Sequence, residues 1–235
     1  RLVRLGQREM LGAFAAGPTC GTEYLPRDPV DAMRDGHAHR VPLVIGANAE
    51  EARLFGRFLK LLPMTESTIE RLLADLDPVE RERITSAYPG YPDPAACVQF
   101  GGDFAFGSAV WQIADAHSRH APTYRYRYDF APRALRWSGL GATHATELLA
   151  VFDVYRSPLG RLLTVGADRK DTLRVSDELQ NRWRAFATTG TPGDDWPRYT
   201  LPERPVLVFD RRPRVEHDPD GRRREAWEGF SLAQR

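Results

Sequence analysis

The apolar positions of this chain recur with two different periods, and the segments that carry them alternate along it. Val41-Pro-Leu-Val-Ile45 is a short β-branched run closed by Gly46, and it predicts a buried strand. Pro42 falls among its first residues, where a missing N–H is tolerated. Residues 123–130, TYRYRYDF, alternate one by one: Tyr124, Tyr126 and Tyr128 face one way, Arg125, Arg127 and Asp129 the other. That pattern predicts a strand with one polar face, or a strand close to a sheet edge. Pro205-Val-Leu-Val-Phe209 predicts the last strand.

Helical spacing fills the intervals. Residues 30–34 form a short helical segment between the breaker cluster Leu25-Pro-Arg-Asp-Pro29 and the turn at Asp35-Gly36. Over residues 65–85, Ile69, Leu72, Leu73 and Leu76 recur at helical spacing behind Thr65, an N-cap residue type followed by Glu66 and Glu70. Tyr88-Pro-Gly-Tyr-Pro-Asp-Pro94 reads as a loop. Residues 104–120 predict a second amphipathic helix with Val110, Ile113, Ala114 and His117 on one side. Residues 176–188 predict a third, stopped by Gly190-Thr-Pro-Gly193. Strands alternating with helices point to an α/β domain with a largely parallel sheet. Residues 211–224 are rich in arginine, but Glu216, Asp218 and Asp220 interrupt them, so the stretch reads as a solvated return loop.

Composition narrows the function classes. The 235 residues are 42% hydrophobic and 10% aromatic, ordinary for a globular chain with a sizeable core. Formal net charge is +1, so no overall imbalance argues for nucleic acid, an anionic membrane or a polyanionic substrate. No apolar run approaches the roughly 18 residues of a membrane span. The opening Arg1-Leu-Val-Arg-Leu-Gly-Gln-Arg-Glu9 lacks the apolar core of a signal peptide, and the first methionine is Met10. The chain therefore reads as a processed product or a piece of something longer, and its compartment stays open between cytoplasmic and secreted. Cys20 and Cys97 make no disulfide framework and read as inert thiols.

Covalent ester cleavage needs a nucleophile, a base to take its proton and an acid to orient the base, usually on loops that follow strands. Two such loops stand out: Gly46-Ala-Asn-Ala-Glu-Glu51 after the first strand, and Gly141-Ala-Thr-His144 beyond the tyrosine strand. The order acid then histidine suits the arrangement Ser…Asp/Glu…His.

These stretches resemble a known family. VPLVIGANAEEARLF (residues 41–55) is similar to V-P-L-x-I-G-x-N-x-[DE]-E-G-x-L-F of the type-B carboxylesterases, the esterase/lipase family that includes the cholinesterases. GATHATELLAVF (residues 141–152) is similar to the same family's G-A-x-H-G-x-E-L-x-x-V-F. The match puts Glu51 at the triad acid and His144 at the base. Three flanking stretches keep the register: GTEYLPRDPVDAM (21–33), GDFAF (102–106) and WRAFATTGTPGDDWPRY (183–199). The resemblance implies an α/β-hydrolase fold, of which residues 1–235 form the C-terminal portion of the mostly parallel sheet with its flanking helices.

Departures from the pattern are equally specific. Ala52 and Ala145 replace glycines after the acid and the base. No serine or cysteine has glycine two before and two after it, and no glycine-rich segment for an oxyanion hole is present. Both belong to the family's N-terminal half, so the chain corresponds to the C-terminal half. The remaining chemistry-bearing residues get blander readings. Glu147 either caps the turn or supports the site, and Glu50 is a solvent-facing neighbour. His37 and His39 lie on a surface loop without a third metal ligand, and Ser108 sits in a helical pattern. Trp183, Trp196 and Tyr199 read as packing, and Phe104 and Phe106 as core.

The implied reaction is acyl transfer from a small uncharged carboxylic ester to serine and then to water, with no metal or organic cofactor. The expected partners are the missing N-terminal half or a second copy, because a half sheet exposes a strand edge and apolar faces. A non-catalytic hydrolase-like binding module, or a degenerate esterase fragment, is the alternative.

Overall fold

A computed structural model describes residues 19–58, 61–164 and 168–230. The N-terminal stretch read for a targeting signal lies outside the described residues. The strands are β1 (Leu43–Asn48), β2 (Thr123–Tyr128), β3 (Pro205–Phe209) and β4 (Arg214–His217). The helices before β2 are α1 (Pro29–Arg34), α2 (Arg53–Phe58), α3 (Glu66–Leu72), α4 (Pro78–Ser86), α5 (Pro94–Gly102) and α6 (Ser108–His117). Those after it are α7 (Arg133–Trp137), α8 (Thr146–Val151), α9 (Pro158–Leu163), α10 (Arg169–Thr189) and α11 (Gly221–Ala226). A π-helical turn, Asp103–Gly107, joins α5 to α6.

The sheet runs β1-β2-β3-β4, parallel across the first three strands and antiparallel at the last. β1 and β2 are in register from Leu43 opposite Thr123 to Asn48 opposite Tyr128. Gly46 does not end the first strand as its sequence suggests. It lies inside β1, and a Cβ there would sit 2.4 Å from the Tyr126 ring, so the missing side chain is what lets that ring lie across the strand.

β2 is a central strand, not an edge. Its tyrosine face joins Leu207 and Phe209 of β3 under α10, in a core that includes Val175, Leu179 and Trp196. On its other face Arg125 is buried against Asp220, while Arg127 is half-buried and paired with Asp129. Arg125 Nη2 donates to Asp220 Oδ2 at 2.6 Å, and both side chains are 3% exposed. Arg223 Nη2 reaches Asp220 Oδ1 at 2.6 Å, and Arg223 Nη1 reaches Asp103 Oδ2 at 2.7 Å. The stretch expected to be a solvated return loop is therefore structured: it supplies β4, α11 and the carboxylate that makes a polar central strand tolerable.

The helix expected over residues 65–85 is two helices. Thr65 caps the first as expected, in a reciprocal capping box with Thr68. Pro78 starts the second. A proline excludes its predecessor from helical conformation, so Asp77 takes φ −53°, ψ 140° and caps Val79 N instead. The third helix begins earlier than its apolar pattern implied, at Arg169, and Gly190 ends it with φ +77°. A second core forms on the α3–α6 side around Ile69, Leu73, Phe100, Phe104 and Trp227. Cys97 is buried there, Cys20 is exposed, and both are free thiols. No helix among the described residues is long and apolar enough to cross a membrane.

Removing one partner of a buried ion pair strands the other charge. Asp220→Ala is expected to cost about 3–5 kcal/mol of unfolding free energy. Arg214→Ala, in the half-exposed pair with Glu216, is expected to cost less than about 1 kcal/mol. Urea denaturation of the two variants checks the contrast.

Candidate active site

Residues at the C-terminal ends of parallel strands are held by the sheet while their side chains stay reachable, and β1 and β2 run out side by side. Glu51 stands in the turn directly after β1, and His144 stands at the end of the loop that leaves β2 through α7. Backbone bonds lock the two loops together. Ala49 N donates to Tyr128 O at 2.9 Å, Glu50 N to Ala142 O at 3.0 Å and His144 N to Glu51 O at 3.3 Å. Thr143 Oγ1 donates to Glu51 O at 3.2 Å and accepts from Leu54 N at 2.8 Å, so it caps α2 from across the gap.

Glu50 is half-buried rather than solvent-facing. Its Oε2 accepts from Ala142 N at 3.0 Å, and its other oxygen pairs with Arg53 at 2.7 Å. This clamp explains Gly141: a Cβ there would lie 1.6 Å from Glu50 Oε2, and the residue has φ +59°.

The two loops bring together the pair singled out by sequence. His144 Nδ1 lies 2.7 Å from Glu51 Oε2, across a separation of 93 residues. The Glu51 side chain is 9% exposed and that of His144 is 40% exposed. A carboxylate beside Nδ1 selects the tautomer with the proton there, which leaves Nε2 as the basic nitrogen. Burial pushes the Glu51 carboxyl above its ordinary value of 4.5. The Asn48 backbone N–H and His144 pull it back, and the Glu147 charge adds to the rise. Glu51 Oε1 accepts from Asn48 N at 2.7 Å and from Asn48 Nδ2 at 3.2 Å. Glu147, in the first turn of α8, accepts from the same Nδ2 at 2.5 Å.

Aromatic rings cover the imidazole. Phe106 stacks on it with centroids 4.6 Å apart and planes 28° apart, and Phe55 leans on it at 5.3 Å. Phe104 is core as expected, but Phe106 is not. The π-turn adds a residue to the helical count and rotates Phe106 toward the site, a shift that strict helical periodicity cannot register. Asn48, Phe55 and Thr143 also belong to the site, although sequence reasoning does not single them out. Asn48 and Phe55 both stand within the first quoted motif, which is the signal that could have found them.

The other candidates fall elsewhere. Ser108 is buried and donates to Phe104 O at 3.4 Å. His37 and His39 are exposed, and no cluster of metal-ligating residues occurs among the described residues. Trp196 and Tyr199 are buried in packing contacts. A cavity of about 400 Å³ opens beside the acid turn, lined by Glu51, Asp103, Gly107, Arg125 and Asp220 among others.

Two substitutions probe the local physics. Ala145 has φ +65°, ψ 10°, a left-handed conformation that a Cβ disfavours. Ala145→Gly is expected to stabilise by about 0.5–1 kcal/mol in chemical denaturation, and a loss of stability would contradict the strain. For Glu51, a raised native value means that the protonated form fits the fold better. That contribution is complete below 4.5 and is lost as pH rises through the raised value. Thermal melts should show Glu51→Gln gaining on the parent between acid and neutral pH.

Known proteins share this arrangement of sequence and fold. The model of the carboxylesterase family matches residues 92–227. The chain is 27% identical to para-nitrobenzyl esterase of Bacillus subtilis over 233 residues, covering 95% of this chain and 45% of that protein. A solved PNB esterase superposes with TM-score 0.71 at 26% identity, over 86% of this chain and 41% of that one. A carboxylesterase of Geobacillus stearothermophilus gives TM-score 0.71 at 29% identity, over 88% and 44%. The chain thus spans less than half the length of each.

Proposed function

The chain belongs to the carboxylesterase family and has an α/β-hydrolase fold, and from that premise we propose that it carries the acid and the base of a serine ester hydrolase. The observation that carries this reading is the 2.7 Å contact between His144 Nδ1 and the buried Glu51 carboxylate. In the proposed reaction Nε2 of His144 takes the proton of a serine hydroxyl as that oxygen attacks the carbonyl of an uncharged carboxylic ester. The imidazolium then protonates the departing alcohol. Water, deprotonated by the same nitrogen, releases the acid and regenerates the serine. Glu51 fixes the tautomer and stabilises the imidazolium, and Glu147 supports it from α8. No metal or organic cofactor enters these steps.

The serine, in a G-x-S-x-G elbow, and the oxyanion-hole donors come from outside these 235 residues. Apolar side chains exposed on α7, α8 and α9 fit a surface meant to be covered: Trp137 is 76% exposed, Phe152 just past α8 71%, and Leu162 70%. The partner in this reading is a polypeptide with the rest of the hydrolase domain, or a second copy in its absence. The names of similar proteins, among them para-nitrobenzyl esterase, suggest aryl-alkyl esters as first substrates.

The triad acts as a unit, and loss of its nucleophile costs about 10⁶ in kcat. The chain alone is therefore expected to hydrolyse p-nitrophenyl butyrate at the rate of buffer, with His144→Ala making no difference. Co-expression with a family N-terminal half is expected to restore turnover, which His144→Ala or Glu51→Ala then abolishes. Turnover by the chain alone that His144→Ala removes would refute the division of labour. Stable co-purification without turnover would favour a non-catalytic binding module. Light scattering of the chain alone should show self-association, and a monodisperse, cooperatively melting monomer would count against the uncovered surface.

A further inference from the structure

An orienting carboxylate must itself be oriented, and here, among the described residues, one residue supplies two of the three donors to it. Asn48 is the last residue of β1 and is 6% exposed, so its backbone is held by the register with Tyr128. Its main-chain N–H and its Nδ2 both donate to Glu51 Oε1, at 2.7 and 3.2 Å. Among the described residues, Glu51 Oε2 is then left to His144, at 2.7 Å. A primary amide nitrogen carries two protons, and the second has its own acceptor, Glu147 Oε2 at 2.5 Å. Thr146 Oγ1 lies 3.5 Å from Asn48 Oδ1, and its stronger bond is to Thr143 O at 2.7 Å. The amide therefore faces its oxygen to a hydroxyl and its nitrogen to two carboxylates.

We propose that Asn48 is a positioning residue for the Glu51–His144 pair, acting as an amide bridge that fixes which Glu51 oxygen meets the imidazole and ties Glu147 to the acid. The inference rests on the acid–base reading above and adds a residue to it. The side-chain chemistry is restrictive. Aspartate would set a third carboxylate against Glu51 and Glu147, and an aliphatic side chain would leave both without this donor. Serine has one proton and cannot serve two acceptors. Without the bridge, Glu51 can rotate about its terminal torsion, which is soft and roughly two-fold, and either oxygen, or neither, can face Nδ1.

The readout is the tautomer of neutral His144, measured on the chain itself by long-range ¹H–¹⁵N NMR of the imidazole nitrogens, with the signals assigned from their loss in His144→Gln. The parent is expected to hold the proton on Nδ1. Glu51→Gln is expected to move it to Nε2, because the carboxamide introduced there can donate to Nδ1. Asn48→Leu, close in size and retaining the main-chain N–H, should lower the Nδ1–H to Nε2–H ratio by about tenfold, the weight of one hydrogen bond. Where the leucine variant does not fold, Asn48→Ala, which also lacks a side-chain donor, carries the same expectation. A tautomer unmoved by Glu51→Gln would overturn the underlying acid–base reading. A tautomer that responds to Glu51→Gln but stays as in the parent with Asn48 replaced, whatever the melting temperature does, would overturn the bridge alone.

Discussion

The carboxylate of Asp220 is the contact on which the arrangement depends. It takes hydrogen bonds from Arg125 of the central strand and Arg223 of α11, and its own side chain is 3% exposed. Arg125 could not otherwise lie buried on the central strand, because an unpaired buried guanidinium costs several kcal/mol; Arg127, half-buried beside it, is held by Asp129 on two bonds. The same ion pairs propagate outward. Arg223 also holds Asp103, which opens the π-turn, and three residues later that turn delivers Phe106 onto His144. A pairing deep under β2 is thus linked, through Arg223, Asp103 and the π-turn, to the aromatic wall of the imidazole. Asp103 shows the tension in this design: burial and the neighbouring Asp220 push its carboxyl up to about 6, against the pull of Arg223.

Much of this was legible in the sequence, for identifiable reasons. A strand of β-branched residues and a strand of alternating tyrosines advertise themselves by period, and both are present within a few residues of the expected bounds. Glu51 and His144 were legible as a pair because whole motifs, not single residues, carried them, and the structure brings the two side chains together. What stayed hidden depended on partners far along the chain. Arg125 and Arg127 look like a wetted face until Asp220 is known to lie across them. Gly46 looks like a stop until Tyr126 is seen filling its place. Pro78 was different, since its effect is local and could have been read from the dipeptide Asp77-Pro78 alone.

The two alanines that depart from the family pattern are not equivalent. Ala52 is buried beneath the turn that carries Glu51, and Gly102 leaves room for it: a Cβ at Gly102 would lie 3.4 Å from the Ala52 Cβ. Ala145 sits in a left-handed conformation immediately after the histidine, where a methyl carries a real energetic penalty. Strain at that point is held by the bonds around it: the main-chain contact from His144 N to Glu51 O, and the Thr146 hydroxyl on Thr143 O.

The interlocked loops at the ends of β1 and β2 bear on how such a site could be inherited. The side-chain hydrogen bonds that fix Glu51 against His144 come from residues 48–54 and 141–147, and Phe55 and Phe106 wall the imidazole from outside them. In engineering terms these two segments, with the pair of strands beneath them, form a transplantable cassette. A designer, or a recombination event, could exchange the rest of the domain and find Glu51 and His144 already paired.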